Sequence, residues 1–306
     1  VGLHAPLLSP AEIAALAVQA THLAQAPSRR EVHDHHAGDW PSAWLGRGLD
    51  FEEARPYAPG DDIRDMDWRT TARLGHPFIK TYREERQPML HLVVDRGPAM
   101  RFGTRKRLKA AQAARLAALA AFAAAARNTA VGATLWDEQD KELAPRHDRA
   151  GLLALMQAVA APCPPLPPHA GQAGAESLHE IDRLARLAAN LPRGTRLILI
   201  SDFTWLSDAH APLLARLGER LQVLAVAITD PAERNLPNVG LARFQDLVTG
   251  GARWLDTGRS GERNAFSAAA KQRQDKIRMG FTRAGITCLE IGGEVDDLLP
   301  VLSGHA

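Results

Sequence analysis

The spacing of apolar positions changes character near residue 88. Upstream, Ile13, Leu16, Ala17, Ala20 and Leu23 recur at the interval of a helix with one buried face, predicting a helix over 9–26. Ser9 is placed as its N-cap, Pro10 as its first helical residue and Glu12 in its first turn, and Pro27 ends it. Residues 28–45 are polar and irregular. Over 49–87 the pattern predicts short strands and turns without helices, with turns at Pro59-Gly60 and Gly75-His76-Pro77. Downstream, Met89–Asp95 is apolar without alternation, as a strand covered on both faces must be. A helix at 105–127, a strand at Ala130–Trp136, a weak strand at Glu142–Ala144 and a helix at 148–160 follow. A Pro/Gly-rich loop covers 162–174, then a helix 176–190. The apolar run at 196–202 is a second buried strand, followed by a helix at 207–218 and a strand at 221–230. Loop and hairpin around Val248 and Trp254 fill 236–259, before a helix at 260–284, a strand at 286–291 and a short helix at 294–302.

Strands alternating with helices imply an α/β fold: a mostly parallel sheet with helices on both faces. It is expected to occupy 88–306, preceded by an N-terminal domain, helical and then β-rich, at 1–87. No repeat of fixed period is visible. There is no G-x-x-x-x-G-K-[ST] loop and no G-x-G-x-x-G after the first buried strand, which argues against the common nucleotide folds.

Composition narrows this only slightly. The 306 residues carry a formal net charge of +2, so no overall field points to nucleic acid or membrane. The two cysteines, Cys163 and Cys288, form no framework and no metal spacing, which fits a reducing compartment. No secretory signal is read. The longest uncharged apolar run, Leu116–Ala126, falls short of the ~20 residues a membrane span needs. A soluble, cytoplasmic chain is expected.

The candidate chemistry starts with two acids. Asp95 and Asp202 each end an apolar strand. Ligands of open parallel sheets sit beyond such ends, where strand order reverses. If the strand at 89–95 is central, the strand at 196–202 is its natural neighbour, which sets the two carboxylates side by side. They repel unless a cation, a proton or an arginine intervenes; Arg96, Arg101 and Arg105 are the candidate arginines. Two readings stand open. One is a cation site, and with it a metal-dependent hydrolase using Asp95 and Asp202. The other is helix capping or ion pairing by each acid.

Between Arg47 and Arg86 acids and arginines alternate at high density. One reading is an internal clamp of forked Arg–carboxylate pairs with Tyr57 and Trp68 as anchors. The other is a protein-docking surface built from Arg47, Arg55, Tyr57, Asp61, Asp62, Asp67 and Trp68, residue types enriched at binding hot spots. His33, His35 and His36 beside Asp34 and Asp39 are a weaker metal candidate. The basic run Arg101–Lys109 lacks interleaved aromatics, so a solvated helix face is preferred to nucleic-acid binding. No G-x-S-x-G elbow is present. No second Asp stands two residues after Asp95, against aspartyl-phosphate chemistry.

These motifs carry a resemblance. G-R-G-L-D-F-E-E (46–53), R-P-Y-A-P-G-D-D-I-R-D-M-D-W-R (55–69), T-A-R (71–73), K-T-Y-R-E-E-R (80–86), V-V-D-R-G-P-A-M-R-F-G (93–103), I-S-D-F (200–203) and D-P-A-E-R-N-L-P (230–237) resemble the bacterial domain-of-unknown-function family fifty-eight. The resemblance implies a von Willebrand factor A-like domain that works with a MoxR-type AAA+ ATPase and client proteins, as a non-enzymatic adaptor in protein complex maturation. It also implies a cation site whose first loop reads D-x-S-x-S. Here that loop is Asp95-Arg96-Gly97-Pro98-Ala99, without either serine; Ser177 stands nearest the family's Thr, and Asp202 matches the final Asp. A degenerate site with weak or no Mg²⁺ is what this implies.

Overall fold

A computed structural model describes residues 5–25, 53–58, 66–81, 89–164, 175–246 and 251–303. The first apolar stripe forms helix α1, Pro10–Gln25. Ser9 N and Oγ donate to Glu12 Oε2 at 2.9 and 2.8 Å, and Glu12 N donates back to Ser9 Oγ at 3.2 Å, a capping box. Leu16, Ala20 and Leu23 are buried against the alanine-rich helix at 109–125. This packing decides the division of the chain. Contacts separate Gly46–Pro88 from a larger unit that joins Val1–Leu45 to Met89–Ala306. The N-terminal domain expected over 1–87 is therefore not one body, because the apolar face of α1 has its partner far downstream.

In the smaller unit, β1 (Glu53–Pro56) and β2 (Phe78–Thr81) pair antiparallel. Between them lies a helix, α2 (Trp68–Leu74), where the sequence pattern predicts only strands and turns. It buries no side chain, so it has no apolar periodicity to detect. Its ends hold it instead. Asp67 Oδ1 accepts from Arg69 N and Thr70 N, both at 3.1 Å. Gly75 closes the other end at φ +76°, a left-handed position that suits glycine, and donates to Thr71 O.

The larger unit is built on a six-stranded sheet of β3 (Met89–Asp95), β4 (Ala130–Trp136), β5 (Lys141–Arg146), β6 (Arg196–Ser201), β7 (Gln222–Thr229) and β10 (Thr287–Gly292), in the order β10-β7-β6-β3-β4-β5. β8 (Leu241–Gln245) and β9 (Ala252–Asp256) form a separate antiparallel hairpin, with Val248 outside the described residues. Only β5 runs antiparallel in the main sheet, because the short 137–140 connection permits a hairpin and not a crossover. The remaining helices are α3 (Lys109–Ala125), α4 (Arg149–Ala160), α5 (Ala175–Asn190), α6 (Ala211–Arg220), α7 (Pro231–Arg234), α8 (Ser260–Arg283) and α9 (Leu299–Ser303). α1, α3, α4 and α9 cover one face; α5, α6 and α8 cover the other. The alternation along β3 shows why both faces are dry: Leu90, Leu92 and Val94 enter the first core and Val93 the second. α3 is buried almost all round, and its alanines combine high helix propensity with close approach to the sheet. No helix among the described residues is long and apolar enough to cross a membrane.

From β3 the chain moves outward through β4 to β5, then returns through β6 on the other side of β3. That reversal places a crevice above β3 and β6.

Candidate functional site

The parallel register of β3 and β6, with Val94 opposite Ile200, carries Asp95 and Ser201 to the crevice together. Asp95 is buried. Its Oδ1 accepts from Gly97 N at 2.8 Å and its Oδ2 from Ser201 Oγ at 2.5 Å. Ser201 Oγ in turn accepts from Phe203 N at 3.0 Å and Trp205 Nε1 at 3.1 Å, so both its lone pairs and its proton are engaged. Burial, and then the nearby Asp202 charge, push the Asp95 carboxyl up to about 6 from its ordinary 3.8. Phe203 sits at φ +54°, a left-handed position that costs a non-glycine residue energy. Its ring packs edge-on against Phe281 and Trp205, which holds it there.

Asp202 faces the other way. Its Oδ1 accepts from Thr204 N and Oγ1, at 3.0 and 2.9 Å. Its Oδ2 accepts from Lys109 Nζ at 2.7 Å, and the same ammonium donates to Glu233 Oε1 at 2.5 Å. Lys109 is only 1 % exposed. Burial pulls its pKa down, and Asp202 and Glu233 more than offset this, leaving it raised and charged. Glu233 is fixed by a capping box at the start of α7, its Oε2 accepting from Asp230 N at 3.0 Å. Asp230 accepts from Thr104 N and Oγ1, at 2.8 and 2.5 Å. One ammonium thus ties the start of α3 to the loops after β6 and β7.

Asp202 and Glu233 meet here, and the cation that offsets them is a lysine, not one of the expected arginines. Arg96 turns aside to donate to Ala158 O and Pro162 O and to face Asp137 at 3.4 Å. Arg101 pairs with Glu138 at 2.7 Å, and Arg105 is exposed. Arg107 and Lys106 both bind Asp296, so the basic run at 101–109 is divided among separate acid partners. Neither Asp95 nor Asp202 caps a regular helix; each closes a local turn on the backbone two residues on. Lys109 is the residue the sequence reading misses. The signal is that it stands first in α3, at the helix end where a cation is unfavourable unless acids neutralise it.

This donor set does not fit a divalent cation. Gly97 and Ala99 bring no side-chain oxygen, Ser201 is saturated, and Asp202 and Glu233 already hold an ammonium. Among the described residues no three of His, Cys, Asp and Glu form a metal-holding group.

The candidate docking residues are partly in view. Trp68 is 66 % exposed. Asp67 is the cap of α2, a structural duty, and Tyr57 is half-buried with its N–H on Pro77 O. Arg55 lies in β1. Arg47, Asp61 and Asp62 lie outside the described residues, as do His33, Asp34, His35, His36 and Asp39.

The model of a family described as "Protein of unknown function DUF58" matches residues 53–276. The uncharacterized proteins Mb1516 of Mycobacterium bovis and Rv1480 of Mycobacterium tuberculosis are each 31% identical over 250 residues, 81% of this chain and 74% of theirs. Among solved structures, the conserved hypothetical protein BatB from Bacteroides thetaiotaomicron aligns at 14% identity and TM-score 0.39, covering 65% of this chain and 98% of its own. An aerotolerance-related membrane protein from Bacteroides fragilis aligns at 13% identity and TM-score 0.42, covering 67% and 92%.

Proposed function

We propose that this chain, which belongs to the DUF58 family, is a non-enzymatic protein-interaction module with a von Willebrand factor A-like domain. In this reading it is a cytoplasmic adaptor that works with a MoxR-type AAA+ ATPase on client proteins during complex maturation. The observation that carries the non-enzymatic part is the state of the crevice. Every carboxylate there is engaged by a protein donor, the Ser201 hydroxyl is saturated, and the Thr204 and Thr104 hydroxyls donate to Asp202 and Asp230. Such groups hold loops in place and leave neither a free base nor a free nucleophile. The rival reading, a metal-dependent hydrolase using Asp95 and Asp202, has to displace Lys109 from Asp202 before a cation gains that ligand. The partner surface is assigned to the segment around Trp68, whose exposed indole caps nothing and packs little.

The test is capture of a purified MoxR-type AAA+ ATPase. Trp68→Ala should leave the unfolding curve unchanged and weaken capture at least about tenfold, the effect of an aromatic hot spot. Equal capture by the folded variant sinks the docking assignment. Calorimetric titration with Mg²⁺ and Mn²⁺ addresses the rival: tight binding that Asp95→Ala abolishes would replace the adaptor reading with the hydrolase.

A further inference from the structure

We propose that the cleft between α8 and the β7–β10 edge of the sheet binds an acidic peptide segment of a partner protein. The proposal rests on the interaction-module reading and supplies the chemistry of one partner contact. The space follows from side-chain size. Along β7, Leu224, Val226 and Ile228 pack in the core under α3, while the opposite face carries Val223, Ala225 and Ala227, and of these only the small Ala227 lines the space beside α8. β10 adds Cys288 opposite Ala225 and Glu290 opposite Ala227. Small residues under a long helix leave a cleft of about 370 Å³, within the usual range for a bound ligand. Its wall on α8 includes Ala270, Gln274 and Ile277. Burial pushes the Cys288 thiol up to about 12, so this part of the floor is uncharged.

The charges select the occupant. Asp202 and Glu233, at the inner end, hold Lys109. Asp275 holds Arg278 at 2.6 Å. Glu290 accepts from Arg234, and from Gln274 Nε2 at 2.8 Å. Each acid lining the cleft thus has a basic partner. Lys271 and Arg273 also line it, and among the described residues neither has an ion-pair partner. A cleft with an apolar floor and two uncommitted cations suits an apolar side chain next to a carboxylate. An acidic peptide segment offers that combination, whereas a basic one meets like charge.

The probes are three capped tripeptides, Ac-Leu-Glu-Leu-NH₂, Ac-Leu-Gln-Leu-NH₂ and Ac-Leu-Lys-Leu-NH₂, titrated into the ¹⁵N-labelled full chain at low salt. The glutamate peptide should shift the amides of 270–278 and 288–290 and bind about tenfold tighter than the lysine peptide. Salt should erase the difference. The double variant Lys271→Glu, Arg273→Glu changes exposed positions only and should invert the preference. Equal binding of the three peptides, shifts elsewhere, no shifts, or a preference that survives the charge swap each overturns the proposal. So does an equal response to sodium acetate alone, which would mark a free-anion site. No ATPase enters this experiment, so its outcome is separate from that of the Trp68 capture.

Discussion

Lys109→Met is the most informative single change. It keeps an unbranched, apolar stem of similar reach and deletes the ammonium, leaving Asp202 and Glu233 with no counter-ion. Breaking a buried pair by removing one partner costs about 3–5 kcal/mol, because the remaining charge is desolvated and unpaired. Here the two acids differ. The Asp202 side chain is 3% exposed and bears the full penalty, whereas Glu233 is 31% exposed and water recovers part of its share. The lower end, about 3 kcal/mol, is therefore expected, a fall in Tm of roughly 6 °C for a chain of this size. Urea unfolding followed by far-ultraviolet circular dichroism at neutral pH measures it directly. The attribution to charge has its own control. Lys109→Met combined with Asp202→Asn removes the stranded carboxylate and should recover most of the loss. A single variant within about 1 kcal/mol of wild type, or a double variant no better than the single, would show that Lys109 is not the cation that holds this crevice together.

Two further outcomes follow from the same region and its neighbour. Asp95 is raised to about 6 in the folded state against 3.8 ordinarily, so the folded protein holds a proton that the unfolded chain has lost. Its contribution is fully present below 3.8 and is lost as pH rises through about 6, on the order of 3 kcal/mol, so Asp95→Asn should flatten wild-type stability across that window in urea titrations. If both proteins respond alike to pH, the carboxyl is not the titrating group. Asp67→Ala removes the cap of α2 at a cost of about 1 kcal/mol, confined to the smaller unit. Hydrogen exchange at Arg69 and Thr70 should accelerate while the larger unit unfolds as before; unchanged exchange would mean the cap is dispensable.

What could be read in advance was whatever depended on local pattern. The unbroken apolar runs ending at Asp95 and Asp202 placed two central strands, and the reversal of strand order made them neighbours, as the pairing of β3 with β6 shows. The α1 cap was visible in Ser9-Pro10 and Glu12. What depended on distant partners was not. Lys109 meets its acids 93 and 124 positions along the chain, and nothing near it in sequence says so. Arginines adjacent to Asp95 seemed the natural counter-ions, yet the short turn through Gly97 sends Arg96 toward Ala158 and Pro162. The α2 helix escaped because seven residues without a buried face carry no period, and its two caps were the only signal. Grouping α1 with the charged segment went astray for a related reason: their proximity in sequence outweighed an apolar face whose complement lay beyond it.

That last arrangement has a temporal consequence. α1 leaves the ribosome before α3, against which it packs, and before α9, which it also touches. At about 5–20 residues per second, α3 is complete only some 5–20 s after α1, and α9 some 15–55 s after it. Throughout that interval Leu16, Ala20 and Leu23 have no lasting partner in the nascent chain. The helix with the clearest start is thus made early and seated late.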